Sequence, residues 1–219
     1  MVIIYVVTTE DTTKGEHTMN ASKCLEILRE IKDVAFATVD KKGDPQIRII
    51  DVMLVEDEKL YFCTARGKDF YRQIVDHGQV AVTGMNPQYQ MIRLSGRADR
   101  LDRQQEWIDR IFRENPSMNE VYPGESRYVL EAFCIQEGEV EFFDLGQTPI
   151  ERESFRLGTG KPEPKGFEIT EACIQCGACE AVCPQQCIKE FQIEQSHCLH
   201  CGLCMETCPV GAVKKQKGA

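Results

Sequence analysis

Eight cysteines near the end of the chain fall into two runs of identical spacing: Cys173-x-x-Cys176-x-x-Cys179-x-x-x-Cys183-Pro184 and Cys198-x-x-Cys201-x-x-Cys204-x-x-x-Cys208-Pro209. Three thiols two residues apart wrap a tight loop around one centre, and a fourth thiolate completes the shell of a cubane iron–sulfur cluster. A zinc site uses one or two C-x-x-C pairs and gives no reason for a third Cys or for the following Cys-Pro. A disulfide framework belongs to secreted chains, and the sequence shows no secretory signal. Gly177 and Gly202 follow the second Cys of each run, where the backbone must approach the metal closely or turn through positive φ.

The runs resemble those of bacterial two-cluster ferredoxins, in which the fourth Cys of each run ligates the other cluster. The resemblance implies one [4Fe–4S] cluster on Cys173, Cys176, Cys179 and Cys208, and a second on Cys198, Cys201, Cys204 and Cys183. Cys187 lies four residues after Cys183, in the slot where the other half has Ala212 four after Cys208. A ninth ligand or redox thiol is one reading; a small packing residue is the preferred one. His197 and His200 flank Cys198, where they are placed to tune a cluster, although an exposed loop is the expected setting. Cys24, Cys63 and Cys134 are scattered and read as buried small residues.

The 219 residues carry a formal net charge of −9. A nucleic-acid-binding surface is basic, so that class is excluded. Residues 166–219 hold six acids and four bases, a formal −2, which leaves −7 for 1–165; acidic partners are disfavoured. No stretch is long and apolar enough to span a membrane, and Met1–Val7 lacks a charged flank. Thiolate-held clusters imply a reducing compartment, the cytoplasm. Lys14-Gly15-Glu16 can be encoded by a ribosome-binding sequence just upstream of Met19. A translation start at Met19 and a genuine disordered tail over 1–18 both stay open.

Asn20 or Ser22 caps a helix running to about Lys32. Strands follow at 34–39, 46–55 and 59–64, with Gly-Asp-Pro and Glu-Asp-Glu turns. A helix over 68–77 leads to strands at 80–85 and 91–99, and a helix over 101–114 stops before Pro116. A hairpin over 128–136 and 140–145 turns at Glu137-Gly138-Glu139. About seven strands with short turns and two or three helices make an α+β, mainly β fold: an antiparallel split β-barrel with helical covers, not a βαβ sheet. The predicted division is a tail over 1–18, the barrel over 19–146, a Gly/Pro-rich linker over 147–165, and a small α+β ferredoxin module over 166–219.

Arg48 sits mid-strand among apolar residues, which is costly unless it is paired or exposed. Phe62-Cys63-Thr64-Ala65-Arg66-Gly67-Lys68 runs from a strand into a helix, placing Thr64, Lys68 and backbone N–H groups at an anion-binding terminus. The alternative is that these are solvated surface charges. The stretch from Ala35 to Arg100 resembles the FMN-binding split β-barrel family of pyridoxamine 5′-phosphate oxidase-like proteins. The matching residues are Phe36–Val39, Gly43–Arg48, Leu60–Thr64, Gly67-Lys68 with Gln73-Ile74, and Ile92–Arg97. The resemblance implies a homodimer with FMN between subunits. Arg48 and Lys68 hold its phosphate with help from Thr64, the backbone of Ile49, Ile50 and Asp51 lines the ring edge, and Cys63 and Gln90 complete the pocket. The family's C-terminal Arg/His substrate segment has no counterpart after Val140–Leu145, so vitamin B6 oxidation is not expected.

Together these features imply an iron–sulfur flavoprotein that exchanges electrons with a small molecule, its donor or acceptor being a redox protein or a small molecule. Tyr89 and Arg93 are candidates to face the flavin or, equally, ordinary strand packing and surface charge. The alternative function is a non-catalytic carrier or adaptor serving a protein partner. A third reading puts haem or a deazaflavin in the barrel, but His77 before Gly78 reads as a helix end rather than an axial ligand.

Overall fold

The computed structural model describes residues 19–216; the expected tail over 1–18 and the alternative start within it lie outside this range. Helix α1 (Ala21–Ile31) begins where the Asn20 side chain accepts a hydrogen bond from the Lys23 N–H at 2.8 Å, satisfying one orphan donor of the first turn. Its buried face, with Cys24, Leu25 and Leu28, enters the main core. Strands β1 (Asp33–Val39), β2 (Pro45–Asp51), β3 (Leu54–Glu56) and β4 (Lys59–Ala65) follow, then α2 (Asp69–His77), β5 (Gln79–Met85), β6 (Gln90–Arg100), α3 (Gln104–Glu114), the single turn α4 (Met118–Val121), β7 (Leu130–Asp144) and β8 (Glu151–Leu157). These eight strands form one antiparallel sheet in the order β2-β1-β5-β6-β7-β4-β3, with β8 also on β7.

The strand expected over 46–55 is two strands, and the break curls the sheet. Val52 donates its N–H to Lys32 O beside β1, and Met53 donates to Tyr61 O of β4, both at 2.8 Å. Two adjacent residues thereby join opposite ends of the sheet. Inside lie Phe36, Phe62, Leu94, Phe133 and Phe142; a second core, with Met53, Tyr61, Ile108, Ile111 and Phe112, lies under α3.

Two sequence expectations are corrected. Glu137-Gly138-Glu139 is not a turn: β7 runs unbroken through it and pairs with β6 from Phe133 to Asp144. The register slips by one residue between Arg97 and Ala98, a β-bulge that absorbs the irregular spacing. Gly96 faces Gly138 there, and a Cβ on Gly138 would lie 2.4 Å from Ser95 O. The glycine permits close backbone approach rather than reversal. The stretch predicted as linker, 147–165, contains β8, paired to β7 from Gly138↔Leu157 to Asp144↔Glu151. Its prolines and glycines, Pro149, Gly158, Gly160, Pro162 and Pro164, fall outside the strand, so they bound it rather than prevent it.

The C-terminal module is two interlocked halves: β9 (Phe167–Ile169), α5 (Ala178–Val182) and β10 (Ile188–Lys189), then β11 (Gln192–Ile193), α6 (Leu203–Thr207) and β12 (Val213–Lys215). β9 pairs with β12 across the halves, and β10 with β11. No described helix is long and apolar enough to cross a membrane.

The glycine contact generates a test. Gly138→Ala should lower stability by about 1–3 kcal/mol, the usual cost of overpacking, measured by denaturant unfolding followed at Trp107, the chain's one tryptophan. An unchanged midpoint would show that the bulge relaxes freely.

Candidate functional site

The cysteine runs fold into two thiol-lined cavities. One is lined by Cys173, Cys176, Cys179 and Cys208, the other by Cys183, Cys198, Cys201 and Cys204. Gly177 and Gly202 start α5 and α6 at φ 74° and 83°, the left-handed turn that swings each third cysteine back toward its cavity. Backbone N–H groups point at sulfur: Gln175 donates to Cys173 Sγ and His200 to Cys198 Sγ, both at 3.4 Å, and Ala212 donates to Cys208 Sγ at 3.2 Å. Such bonds hold the Cys208 thiol below its ordinary pKa, Val213 N–H contributing most. Among the described residues no three His, Cys, Asp or Glu side chains converge on one point suited to a single metal ion. Four soft donors spread around a cavity fit a multi-iron cluster better than one zinc.

The second cavity lies beside the barrel. His197 Nδ1 is 2.8 Å from Ile150 O, and His200 Nδ1 is 3.0 Å from Arg152 Nη1 on β8. The Arg152 guanidinium lies 4.6 Å from the Phe143 ring of β7, and Lys165 pairs with Glu141 of β7 at 2.7 Å. Both histidines are therefore half-buried junction residues, which corrects the expectation of an exposed loop. Burial, then the adjacent Arg152 charge, pushes the His200 pKa down to about 4, so its imidazole is neutral at pH 7.

In the barrel, Arg48 leaves β2 toward α2. Nη1 donates to Thr38 Oγ1 at 2.6 Å and Nη2 to Gln73 Oε1 at 2.9 Å, while the guanidinium sits 4.6 Å from the Phe70 ring. Every protein partner is neutral: among the described residues Arg48 makes no ion pair with a carboxylate. Burial depresses its pKa, and a half-buried cation without a counter-charge favours an anionic ligand. Phe70 and Gln73 lie on the first turns of α2, whose N-cap is the exposed Lys68. Thr64, four residues before Lys68, is buried, and its Oγ1 is among the buried side-chain atoms left without a hydrogen-bond partner. An unneutralised guanidinium, an orphan hydroxyl and a helix N-terminus fit a phosphate-bearing group.

The other candidates are dispersed. The Ile49 side chain points outward, Ile50 packs on the main core, and Asp51 is 3.7 Å from Lys32 Nζ. Burial and the neighbouring Asp33 carboxylate raise the Asp51 pKa. The Cys63 thiol is buried in the core under α3, on the opposite face of β4 from Phe62, and burial pushes it up to about 12. Gln90 is tied to Asn86 and to Asp144. It pairs with Asp144 in register while Thr64 pairs with Glu131, thirteen positions apart along β7, or about 40 Å of strand at ~3.3 Å per residue. Tyr89 is exposed in the β5–β6 turn, and Arg93 pairs with Glu141 at 3.2 Å.

Sequence reasoning missed Thr38 and the Phe70/Gln73 pair as the mounts of Arg48. The i,i+3 spacing of Phe70 and Gln73 was the available signal. It also missed the brace beneath α2. Glu131 accepts from Tyr71 Oη of α2 at 2.8 Å and from Arg100 Nε at 2.5 Å, opposite Thr64.

Two family models match stretches of the chain. A family model described as pyridoxamine 5′-phosphate oxidase matches residues 21–129, and one described as a 4Fe-4S dicluster domain matches residues 172–212. No curated protein matches the chain. Among solved structures, a NimC/NimA family protein from Clostridium acetobutylicum is 24% identical with a TM-score of 0.54, covering 63% of this chain and 92% of its own. General Stress Protein 26 from Bacillus anthracis is 17% identical with a TM-score of 0.49, covering 64% and 100%. A pyridoxamine 5′-phosphate oxidase-related, FMN binding protein from Nostoc punctiforme is 14% identical with a TM-score of 0.43, covering 64% and 93%.

The brace has a pH signature. Hydrogen bonding from Arg100 holds the Glu131 carboxyl below its ordinary 4.5. The stability it contributes is full above pH 4.5 and is lost as pH falls through the lower folded-state value. Glu131→Gln should cost about 1.5–3 kcal/mol at pH 7 and flatten the loss of stability below pH 4.5, read by Trp107 fluorescence during unfolding. Parallel wild-type and variant curves would remove the brace from the account.

Proposed function

We propose that this chain, whose residues 21–129 and 172–212 match family models described as pyridoxamine 5′-phosphate oxidase and 4Fe-4S dicluster domain, is an iron–sulfur flavoprotein oxidoreductase holding two [4Fe–4S] clusters and FMN and acting on a small molecule. The observation that carries the reading is the junction, where the Cys198–Cys201 loop rests on β8 through His197 and His200. A cluster site and a flavin-type barrel are thereby built into one contact. When bound, the clusters supply one-electron transfer and FMN couples it to two-electron chemistry.

The chain's own part is positioning. Arg48, mounted on Thr38 and Gln73, offers an unneutralised charge to the phosphate; Lys68 adds a second charge at the α2 N-terminus, and Thr64 Oγ1 a hydroxyl. The backbone of Ile49, Ile50 and Asp51 belongs to β2, which among the described residues pairs with β1 alone and keeps one edge open for the ring. Cys63 would contribute through its backbone, since its thiol is buried elsewhere. His200 links the second cluster site to β8 through its contact with Arg152. After Leu145 the chain supplies β8 and the junction rather than a substrate-gripping segment, so vitamin B6 oxidation is not part of the proposal.

A homodimer through the barrel completes the site. Ile47 and Ile49 are 73% and 63% exposed on β2. Their register neighbours Ala37 and Ala35 extend a smooth apolar face, the kind of patch that marks an interface. Gln90, remote from Thr64 within a chain, enters the pocket only if subunits share their sites. The electron partner is a redox protein or a small molecule, in the reducing interior of the cytoplasm that thiolate ligands require.

The first test is the identity and amount of flavin released from anaerobically purified protein; stoichiometric FMN is expected, and none after reconstitution would sink the flavoprotein reading. Lys68→Ala should weaken FMN retention by about 10- to 150-fold, one charged contact of ~1.5–3 kcal/mol, with iron content unchanged. Ile49→Glu should give monomers that lose FMN, by light scattering and absorbance; a flavin-loaded monomer would overturn the shared site.

A further inference from the structure

The two halves of the C-terminal module differ at one buried position. In the first cavity the slot four residues after the crossing cysteine is Ala212, whose N–H bonds to Cys208 Sγ at 3.2 Å. In the second the slot is Cys187, 4% exposed, with its Sγ 3.5 Å from Cys183 Sγ. Cys187 lines the same cavity as Cys183, Cys198, Cys201 and Cys204. That cavity has five thiols for a four-thiolate shell, while the other has four.

We propose that Cys187 is a reserve ligand of the second cluster site, able to take the coordination position of Cys183. The inference rests on the two-cluster reading above. The two sulfurs are close enough for a side-chain rotation with a small backbone shift to put one where the other was. Both cysteines flank the Pro184–Gln186 turn, closed by the Gln186 N–H bond to Cys183 O at 3.1 Å, so either can be presented from the same loop. In the exchange the bond from iron to Cys187 Sγ forms as the bond to Cys183 Sγ breaks, and the proton that the Cys187 thiol gives up is taken by the released Cys183 thiolate 3.5 Å away; no electrons move, so no oxidant or reductant enters. A side chain kept only for packing would serve as well as alanine, as the equivalent position in the first half shows.

The test compares iron and acid-labile sulfide per chain in full-length protein, purified and reconstituted anaerobically. Wild type and Cys187→Ala should carry the full complement, and Cys208→Ala half of it. Cys183→Ala should keep the full complement with an altered electron paramagnetic resonance signal from one cluster. Cys183→Ala with Cys187→Ala should fall to half. A Cys183→Ala protein at half the complement, like Cys208→Ala, overturns the proposal; so does a Cys187→Ala protein at half, which would make Cys187 a standing ligand. If Cys183→Ala does not fold, the transplant decides: Ala212→Cys added to Cys208→Ala should restore the missing cluster, and failure to restore it counts against the reserve role. Wild type at one cluster per chain would instead sink the two-cluster reading, and this inference with it.

Discussion

Cys183 and Cys208 each leave the loop they follow and line the cavity of the other half. That exchange governs the C-terminal module. Its core is small and is largely sulfur: Cys179, Cys187, Cys198 and Cys204 are packed with Phe167, Ile188 and Val213. A domain of this size has little apolar surface to bury, and metal ligation supplies what packing does not. The crossing thiolates make neither half separable, and the β9–β12 pairing repeats the same exchange in the backbone.

The barrel solves a different problem, the support of a half-buried cation without a paired anion. Thr38, Gln73 and the Phe70 face hold the Arg48 guanidinium through neutral contacts. Glu131, the nearby buried carboxylate, is occupied by Arg100 and Tyr71 and lies across β4 instead. Keeping these two charges on separate mounts leaves Arg48 available to an outside anion while α2 stays fixed.

Much of this was legible in the sequence because it depends on local spacing. The cysteine runs, the Asn20 cap and the closely spaced strands with short turns between them are all short-range patterns. Two of the misses were long-range. Glu137-Gly138-Glu139 carries a turn-like composition, but the partner strand β6 offers Gly96 opposite, and only that pairing shows a bulge. The Glu151–Leu157 segment is charged and half-buried, without a clear apolar alternation, and becomes a strand because β7 extends past β4 and leaves an unpaired edge. Of the site residues, the cysteines line two cavities in the groups that the resemblance implied, and Arg48 reaches Gln73 and Phe70 of α2, whose N-cap is Lys68. Cys63 and Gln90 lie apart from that corner, separated by strand parity and strand length.

The strand between barrel and module has a kinetic consequence. Because β8 is zipped to β7 and its first residues meet the histidine junction, the module is held against the barrel rather than left to swing toward a distant surface on the residues that follow β8. A tethered carrier exchanges electrons at a rate set by its diffusional search; a docked one does so at a rate set by a constant separation between donor and acceptor. In the proposed iron–sulfur flavoprotein this architecture belongs to the second kind: an outside redox partner would have to travel to the molecule, and viscosity would slow that encounter but not the internal transfer.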